Sequence, residues 1–293
     1  MKKTIRIIGV NMDLGQSRRG VDVGPSAIRY ADLSTRLEQL GFGVFDAGNI
    51  AVPVKDTLTD KEVVTCIHNA CEAVYDTGKA AIADGCIPIF LGGDHSIAMG
   101  SIGGVTHHAP CSVIWIDAHG DYNTPETSAS GNIHGMPLAV LTGAGDRALT
   151  DIGRPGVKVE PKDVVLIGLR DLDSVERERL QRSGITIFTM RDIDENGISA
   201  VAKKALTSLT NHSRIHVSLD MDAMDPMIAP GVGTPVPGGL TYREAQLLME
   251  TLADSGRVTS LDMVEINPII DTGNQTANIA VDLAVSLFGK RIL

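Results

Sequence analysis

Aromatic side chains are scarce in this sequence. Phe, Trp and Tyr make up 3% of its 293 residues, with a single tryptophan, so aliphatic residues must fill the core. Cysteine is sparse too. The four thiols, Cys66, Cys71, Cys86 and Cys111, form no C-x-x-C pair. They read as reduced core thiols of a cytosolic protein, with Cys86 and Cys111 acting as small hydrophobes in apolar surroundings. No apolar run reaches the roughly 18 residues that a membrane helix needs. The apolar run in "MKKTIRIIGV" is far too short for a signal peptide, so a soluble, cytoplasmic protein is expected with no membrane partner. Excess positive charge is also lacking. A net charge of −10 argues against a sequence-independent nucleic-acid binder and slightly favours a small cationic substrate.

Hydrophobic residues are plentiful at 43%, enough for a large core, and 31 glycines suggest many tight connections. The runs "TIRIIGV", "IPIFLGG", "CSVIWID", "DVVLIGL", "ITIFTM", "RIHVSLD" and "TSLDMVEI" are near-continuously apolar, with "FGVFDAG" a weaker eighth. Such runs mark strands buried on both faces, as in a parallel sheet. Helical patterns lie between most of them. From Lys61 to Ala83 the apolar positions recur close to a 3.6-residue period. The segment from Pro25 to Gly41 reads as one helix by its start and stop residues. Thr241 and Glu244 form a capping-box pattern. Alternating strands and helices predict one α/β/α domain over residues 1–293 with a mainly parallel sheet. Two long segments, 120–132 and 221–239, look irregular, and each follows a strand. Long irregular segments are usually functional, and ligands of open α/β sheets bind at the carboxyl ends of strands.

The strand ends carry the chemistry. "IFLGGDHS" ends in Asp94 and His95, and "VIWIDAHGD" supplies Asp117, His119 and Asp121. "HVSLDMDAMDP" supplies Asp220, Asp222 and Asp225, and "SLDMVEINP" supplies Glu265. Residues two apart in an extended segment point the same way, so Asp117, His119 and Asp121 can converge on one side, and so can Asp220 and Asp222. Clustered carboxylates repel unless protonated or neutralised by cations. Oxygen ligands with a minority of imidazole suit Mn²⁺ or a similar borderline ion better than a structural zinc site, which would favour Cys. Each piece has a plainer alternative. Asp220, Asp222 and Asp225 resemble a Ca²⁺ loop, but lack its glycine and terminal Glu. His95 alone reads as a loop histidine, Asp94 as a support for the turn or for a ligand, and Gly92-Gly93 is weak evidence for phosphate binding. His107 and His108 read as surface residues at a helix end. His68, His212 and His216 lack acidic company and read as structural. Co-occurrence of three such strand ends in one sheet favours the metal.

Together "GGDHS", "DAHGD" and "SLDMDAMDP" resemble the three metal-binding motifs of the ureohydrolase family, which includes arginase, agmatinase and formiminoglutamase. The resemblance runs from "GVNMDLGQSRRGVDVGPSAIR" to "VEINP". The segments "NTPETSASGNIHGMP" and "GVGTPVPGGLTYRE" look like the bacterial arginases within it.

That resemblance implies a three-layer α/β/α fold around an eight-stranded parallel sheet, a binuclear Mn²⁺ cluster and a hexamer. One ion would be held by His95, Asp117, Asp121 and Asp220, and the other by His119, Asp117, Asp220 and Asp222, with Asp117 and Asp220 bridging. It implies hydrolysis of L-arginine to L-ornithine and urea by attack of a metal-bridging hydroxide. Asp121 would pass on a proton, His134 would shuttle one to the leaving group or solvent, and Glu265 would bind the guanidinium. Asn123, Ser130 and Asn132 would face the α-carboxylate, with Ser128 standing where some arginases carry Thr. Asp173 would face the α-amino group, Glu176 would support from behind, and Thr234 would serve the guanidinium end. Three other readings compete: an agmatinase, a catalytically silent binding protein, and a metal-dependent deacetylase, whose paired histidines are not evident.

Overall fold

The computed structural model describes residues 3–291. Its centre is a sheet of eight strands: β1 (Thr4–Val10), β2 (Gly43–Ile50), β3 (Ile87–Leu91), β4 (Ser112–Ile116), β5 (Val164–Leu169), β6 (Thr186–Thr189), β7 (Ile215–Asp220) and β8 (Val258–Val264). The order is β2-β1-β3-β8-β7-β4-β5-β6, and every adjacent pair is parallel. All eight apolar runs are strands, and helices cover both faces, as a continuously apolar parallel sheet requires.

Alternation within each strand feeds two cores. In β4, Ile114 and Ile116 join the layer that holds Leu33, Leu37, Leu248 and Val281. Val113 and Trp115 point the other way, among Ile102, Leu138 and Leu166. A third apolar cluster packs Phe90 of β3 beneath the long helix Asp60–Ala83, through Ile67, Cys71, Val74 and Tyr75. Thr241 caps the helix Tyr242–Asp254 and forms the expected capping box with Glu244.

Three expectations change. The segment from Pro25 to Gly41 is two helices, Gly24–Tyr30 and Leu33–Gln39, because Asp32 takes a left-handed backbone at φ 62. Aspartate tolerates that conformation, and the turn lets Ile28, Leu33 and Leu37 all reach one core. Cys86 is only half-buried and lies 3.9 Å from the Arg6 guanidinium, so its surroundings are not apolar. His68, His212 and His216 do have acidic neighbours: Glu72 at 3.7 Å, Asp163 at 3.0 Å and Asp262 at 3.1 Å. For His212 and His216 the carboxylates arrive from other elements of the fold, so local sequence hides them.

Strand ends are locked to one another below the crevice. Gly93 N–H donates to Val10 O at 2.9 Å, Asp94 N–H to Met12 O at 2.7 Å, and Glu265 N–H to Gly93 O at 2.8 Å. A Cβ at Gly93 would lie 1.7 Å from the Met12 carbonyl oxygen. Gly93→Ala should therefore cost about 3 kcal/mol, the upper range for overpacking, because backbone rather than a flexible side chain must move. Urea unfolding measures this, and a cost below about 0.5 kcal/mol would mean the loop has room to adjust.

Candidate metal centre

β3, β8, β7 and β4 are neighbours, so their carboxyl ends deliver His95, Glu265, Asp220 and Asp117 to one place. β4 ends at Ile116, and the chain bends rather than continuing extended. Asp121 sits in the left-handed region at φ 47, and Glu265 does so at φ 64. Such non-glycine conformations are sparsely populated and cluster at functional sites. Convergence of the "DAHGD" side chains thus comes from a bend and not from strand alternation.

The Nδ1 atom of His95 lies 3.2 Å from Asp117 Oδ2, 3.1 Å from Asp121 Oδ2 and 3.1 Å from Asp220 Oδ2. Among the described residues no hydrogen bond of good geometry satisfies this buried nitrogen, which leaves it available to an ion held with the three carboxylates. His119 Nδ1 lies 3.4 Å from Asp117 Oδ1 and 3.1 Å from Asp222 Oδ2. The two groups of potential ligands are therefore His95–Asp117–Asp121 and Asp117–His119–Asp222, with Asp117 in both. Its two oxygens are divided between them. For Asp220, Oδ2 faces the His95 group while Oδ1 accepts the Asp222 N–H at 2.8 Å. Its second arm is thus turned to backbone.

Electrostatics fit a cation. Burial pushes Asp121 up to about 6, and the charge of Asp117 adds to that. Burial also raises Asp220, with Asp222 and Asp117 reinforcing it, and raises Asp222, with Asp117 reinforcing it. Burial acts on Asp117 as well, but the flanking imidazoles outweigh it and hold this carboxyl below the usual range. Four buried carboxylates in mutual repulsion, with two imidazoles, form a donor set that divalent ions relieve.

Around this set the supports are specific. His95 Nε2 meets Ser218 Oγ at 2.8 Å, which leaves Nδ1 as the free ligand atom. Trp115 Nε1–H donates to Asp117 Oδ2 at 2.9 Å, and the indole stacks on His95 with ring centroids 4.0 Å apart. Asp94 accepts from Gly15 N–H at 2.7 Å and Ser96 N–H at 3.0 Å, so it supports the turn that carries His95. Thr234 Oγ1 donates to Asp222 Oδ2 at 2.9 Å. Glu265 lies just outside the cavity lining and has three partners: Oε1 accepts the His95 N–H at 2.9 Å and lies 2.9 Å from His134 Nδ1, while Oε2 accepts Gln16 Nε2–H at 2.8 Å.

A cavity of about 310 Å³ opens over the two groups. His119, Asp121, Asn123, His134, Asp173, Glu176, Asp220, Asp222 and Thr234 are among the residues that line it. Asp173 caps the helix Ser174–Ser183 through Oδ1, while Oδ2 accepts Asn123 Nδ2–H at 3.0 Å. Glu176 accepts the Tyr122 N–H at 2.8 Å, and burial pushes its carboxyl up to about 8. Ser128, Ser130 and Asn132 stand elsewhere, on an exposed loop outside the cavity lining. Ser128 Oγ accepts the Gly131 N–H at 3.0 Å, Ser130 Oγ the Asn132 N–H at 3.2 Å, and Asn132 Oδ1 the Ser17 hydroxyl at 2.9 Å.

A family model described as "Arginase family" matches residues 3–289. The chain belongs to the arginase family. An arginase from Bacillus subtilis (strain 168) is 47% identical over 296 residues, spanning 100% of both chains. An arginase from Brevibacillus brevis is 48% identical over 298 residues, again over 100% of both. The native structure of the Bacillus caldovelox arginase superposes with a TM-score of 0.97 at 48% identity, covering 100% of each chain. Family membership bears out the resemblance, and with it the three-layer, eight-stranded parallel fold.

Within this arginase-family site, several residues are given no role by the sequence reading. Trp115 and Ser218 stand two residues before Asp117 and Asp220, and that spacing on a strand is a usable signal for a shared face. Asp171 lines the cavity 3.8 Å from His119 Nε2. It lies in "LRDLDSVE" two residues before Asp173, so an acidic neighbour is visible there. Gln16 reaches Glu265 across 249 positions of sequence and leaves no local trace.

Proposed function

We propose that this chain hydrolyses L-arginine to L-ornithine and urea with two divalent ions. The observation that carries the binuclear reading is the division of Asp117, one oxygen toward His95 and the other toward His119. His95, Asp117, Asp121 and Asp220 would hold one ion, and His119, Asp117, Asp220 and Asp222 the other. Their oxygen-rich set suits Mn²⁺. When bound, the ions supply hydroxide from water at moderate pH, which the resonance-stabilised guanidinium demands as nucleophile.

The chain's own residues do the rest. The acidic floor and Glu265 attract the guanidinium cation, and Thr234 holds Asp222 in place at that end. As oxygen adds to the guanidinium carbon, Asp121 takes the proton it loses. His134 lines the cavity and gives a proton to the substrate's chain nitrogen, so that the C–N bond breaks and ornithine leaves with a neutral side-chain amine beside urea. At the mouth, Asp173 faces the α-ammonium and Asn123 the α-carboxylate, with Glu176 behind them. Ser128, Ser130 and Asn132 complete carboxylate recognition from the loop, directly or through water. A single domain over residues 1–293, a hexamer and a cytoplasmic location belong to the same proposal, although residues 1, 2, 292 and 293 lie outside the described structure. No helix among the described residues is long and apolar enough to cross a membrane.

Two measurements test this. Elemental analysis after Mn²⁺ loading and gel filtration should approach two ions per chain, and full activity with at most one would exclude the binuclear route. The kcat/KM for arginine should exceed that for agmatine by at least about 10²-fold, since agmatine lacks the α-carboxylate and each lost hydrogen bond to a charged group costs about 1.5–3 kcal/mol. Equal values would exclude arginase and leave ureohydrolase chemistry standing.

A further inference from the structure

Arg170 follows β5 and bridges the two chain segments that carry the His119 group. Its backbone N–H donates to the Ala118 carbonyl at 2.9 Å, and the next N–H, of Asp171, donates to the same oxygen at 3.1 Å. Ala118 lies between Asp117 and His119. The guanidinium reaches the other way. Nη2 donates to Asp222 O at 2.7 Å, Val236 O at 2.6 Å and Met224 O at 3.2 Å. Nη1 donates to Ala223 O at 3.2 Å, and Nε to Val236 O at 3.2 Å.

All of its side-chain hydrogen bonds end on main-chain carbonyls. A side chain placed for charge pairing would meet carboxylates. One that ends on carbonyls fixes the path of a chain. The segment 221–239 lies outside the sheet, held by two isolated bridges and short-range turns, so carbonyls not used there fall to Arg170. The fit is close: a Cβ at Gly239 would come within 2.6 Å of Nη2. The segments also touch directly, through Ala118 N–H and Asp222 Oδ1 at 3.3 Å.

We propose that Arg170 is a positioning residue that sets His119 and Asp222 at ligand spacing by holding both of their backbones. This rests on the reading of Asp117, His119 and Asp222 as an ion-holding group. A lysine can substitute only in part. Its ammonium is a point charge with three donors, whereas the planar guanidinium offers five in a fixed fork.

The test uses the full chain with Arg170→Met and Arg170→Lys, stripped by chelator and titrated with Mn²⁺ by calorimetry. Thermal unfolding is recorded with and without the ion. Wild type should take up two ions per chain. Arg170→Met should bind one of them about 10–100-fold more weakly, the range seen when groups that orient metal ligands are lost. Its Mn²⁺-induced rise in Tm should shrink, and Arg170→Lys should fall between. Wild-type affinity for both ions in Arg170→Met overturns the proposal. So does a drop in Tm that is equal with and without Mn²⁺, the signature of a packing role alone. If Arg170→Met does not fold, Arg170→Lys carries the comparison by the same criteria. Failure of wild type to take up two ions overturns the metal reading and this proposal with it, whereas paired uptake by wild type and variant alike overturns the proposal only.

Discussion

Replacing Asp117 by alanine should abolish urea production and strip both ion positions, with turnover at least about 10³-fold below wild type. Ion chemistry of this kind is worth several kcal/mol, and about 4 kcal/mol corresponds to about 10³ in rate. Asp117 belongs to both ligand groups and offers one oxygen to each, so its loss damages both at once. Asp222→Ala removes a ligand from the His119 group alone and should be rescued in part by excess Mn²⁺. Asp117→Ala should not be. One confound is folding. Alanine at 117 leaves Trp115 Nε1–H and His119 N–H without their acceptor, at about 1–3 kcal/mol for each buried unsatisfied group. Asp117→Asn keeps the volume and one acceptor oxygen while removing the charge. Loss of ion uptake in a folded Asp117→Asn protein separates the two effects. An Asp117→Ala enzyme that retains two ions and full turnover would contradict the shared-ligand reading outright.

The same residues mark how far sequence pattern alone reaches. Asp117, Asp220 and His95 are legible because each ends an apolar run, and a run buried on both faces must leave a parallel sheet at its carboxyl edge. The edge strand β2 is faint because its middle is exposed and polar, with Asp46 paired to Arg29 at 2.7 Å. The break at Asp32 is hidden because helix start and stop residues do not report a left-handed residue between them. The contacts of Glu265 are out of reach for another reason. His134 is 131 positions away and Gln16 is 249, and only the strand order β3-β8 brings that carboxylate under His95. Local pattern names the atoms that carry charge, and topology decides which of them meet.

Replacing His134 by asparagine should lower kcat by about 10²–10⁴-fold, the usual contribution of a general acid or base, with both ions still bound. His134 belongs to neither ligand group, and its backbone N–H bond to Gly15 O at 3.0 Å survives the change. Its ring lines the cavity while Nδ1 lies 2.9 Å from Glu265 Oε1. Burial alone would lower its pKa. The Glu265 carboxylate outweighs burial and, with Asp121 and Asp94, raises the value to about 9. The Glu265 carboxylate thus favours the imidazolium, the form that can protonate a leaving amine. Because the acid form exists below the pKa, the wild-type advantage should fall as pH rises through that value. Bound divalent ions disfavour a nearby imidazolium, so with Mn²⁺ present the fall should begin below about 9. The measurement is kcat against pH for wild type and His134→Asn at saturating Mn²⁺ and arginine, with ion content determined on the same samples. A constant ratio across the range would mean that the lost group does not act by its proton. Full turnover of the variant at every pH would make His134 a structural partner of Glu265 and send the leaving-group proton by another route.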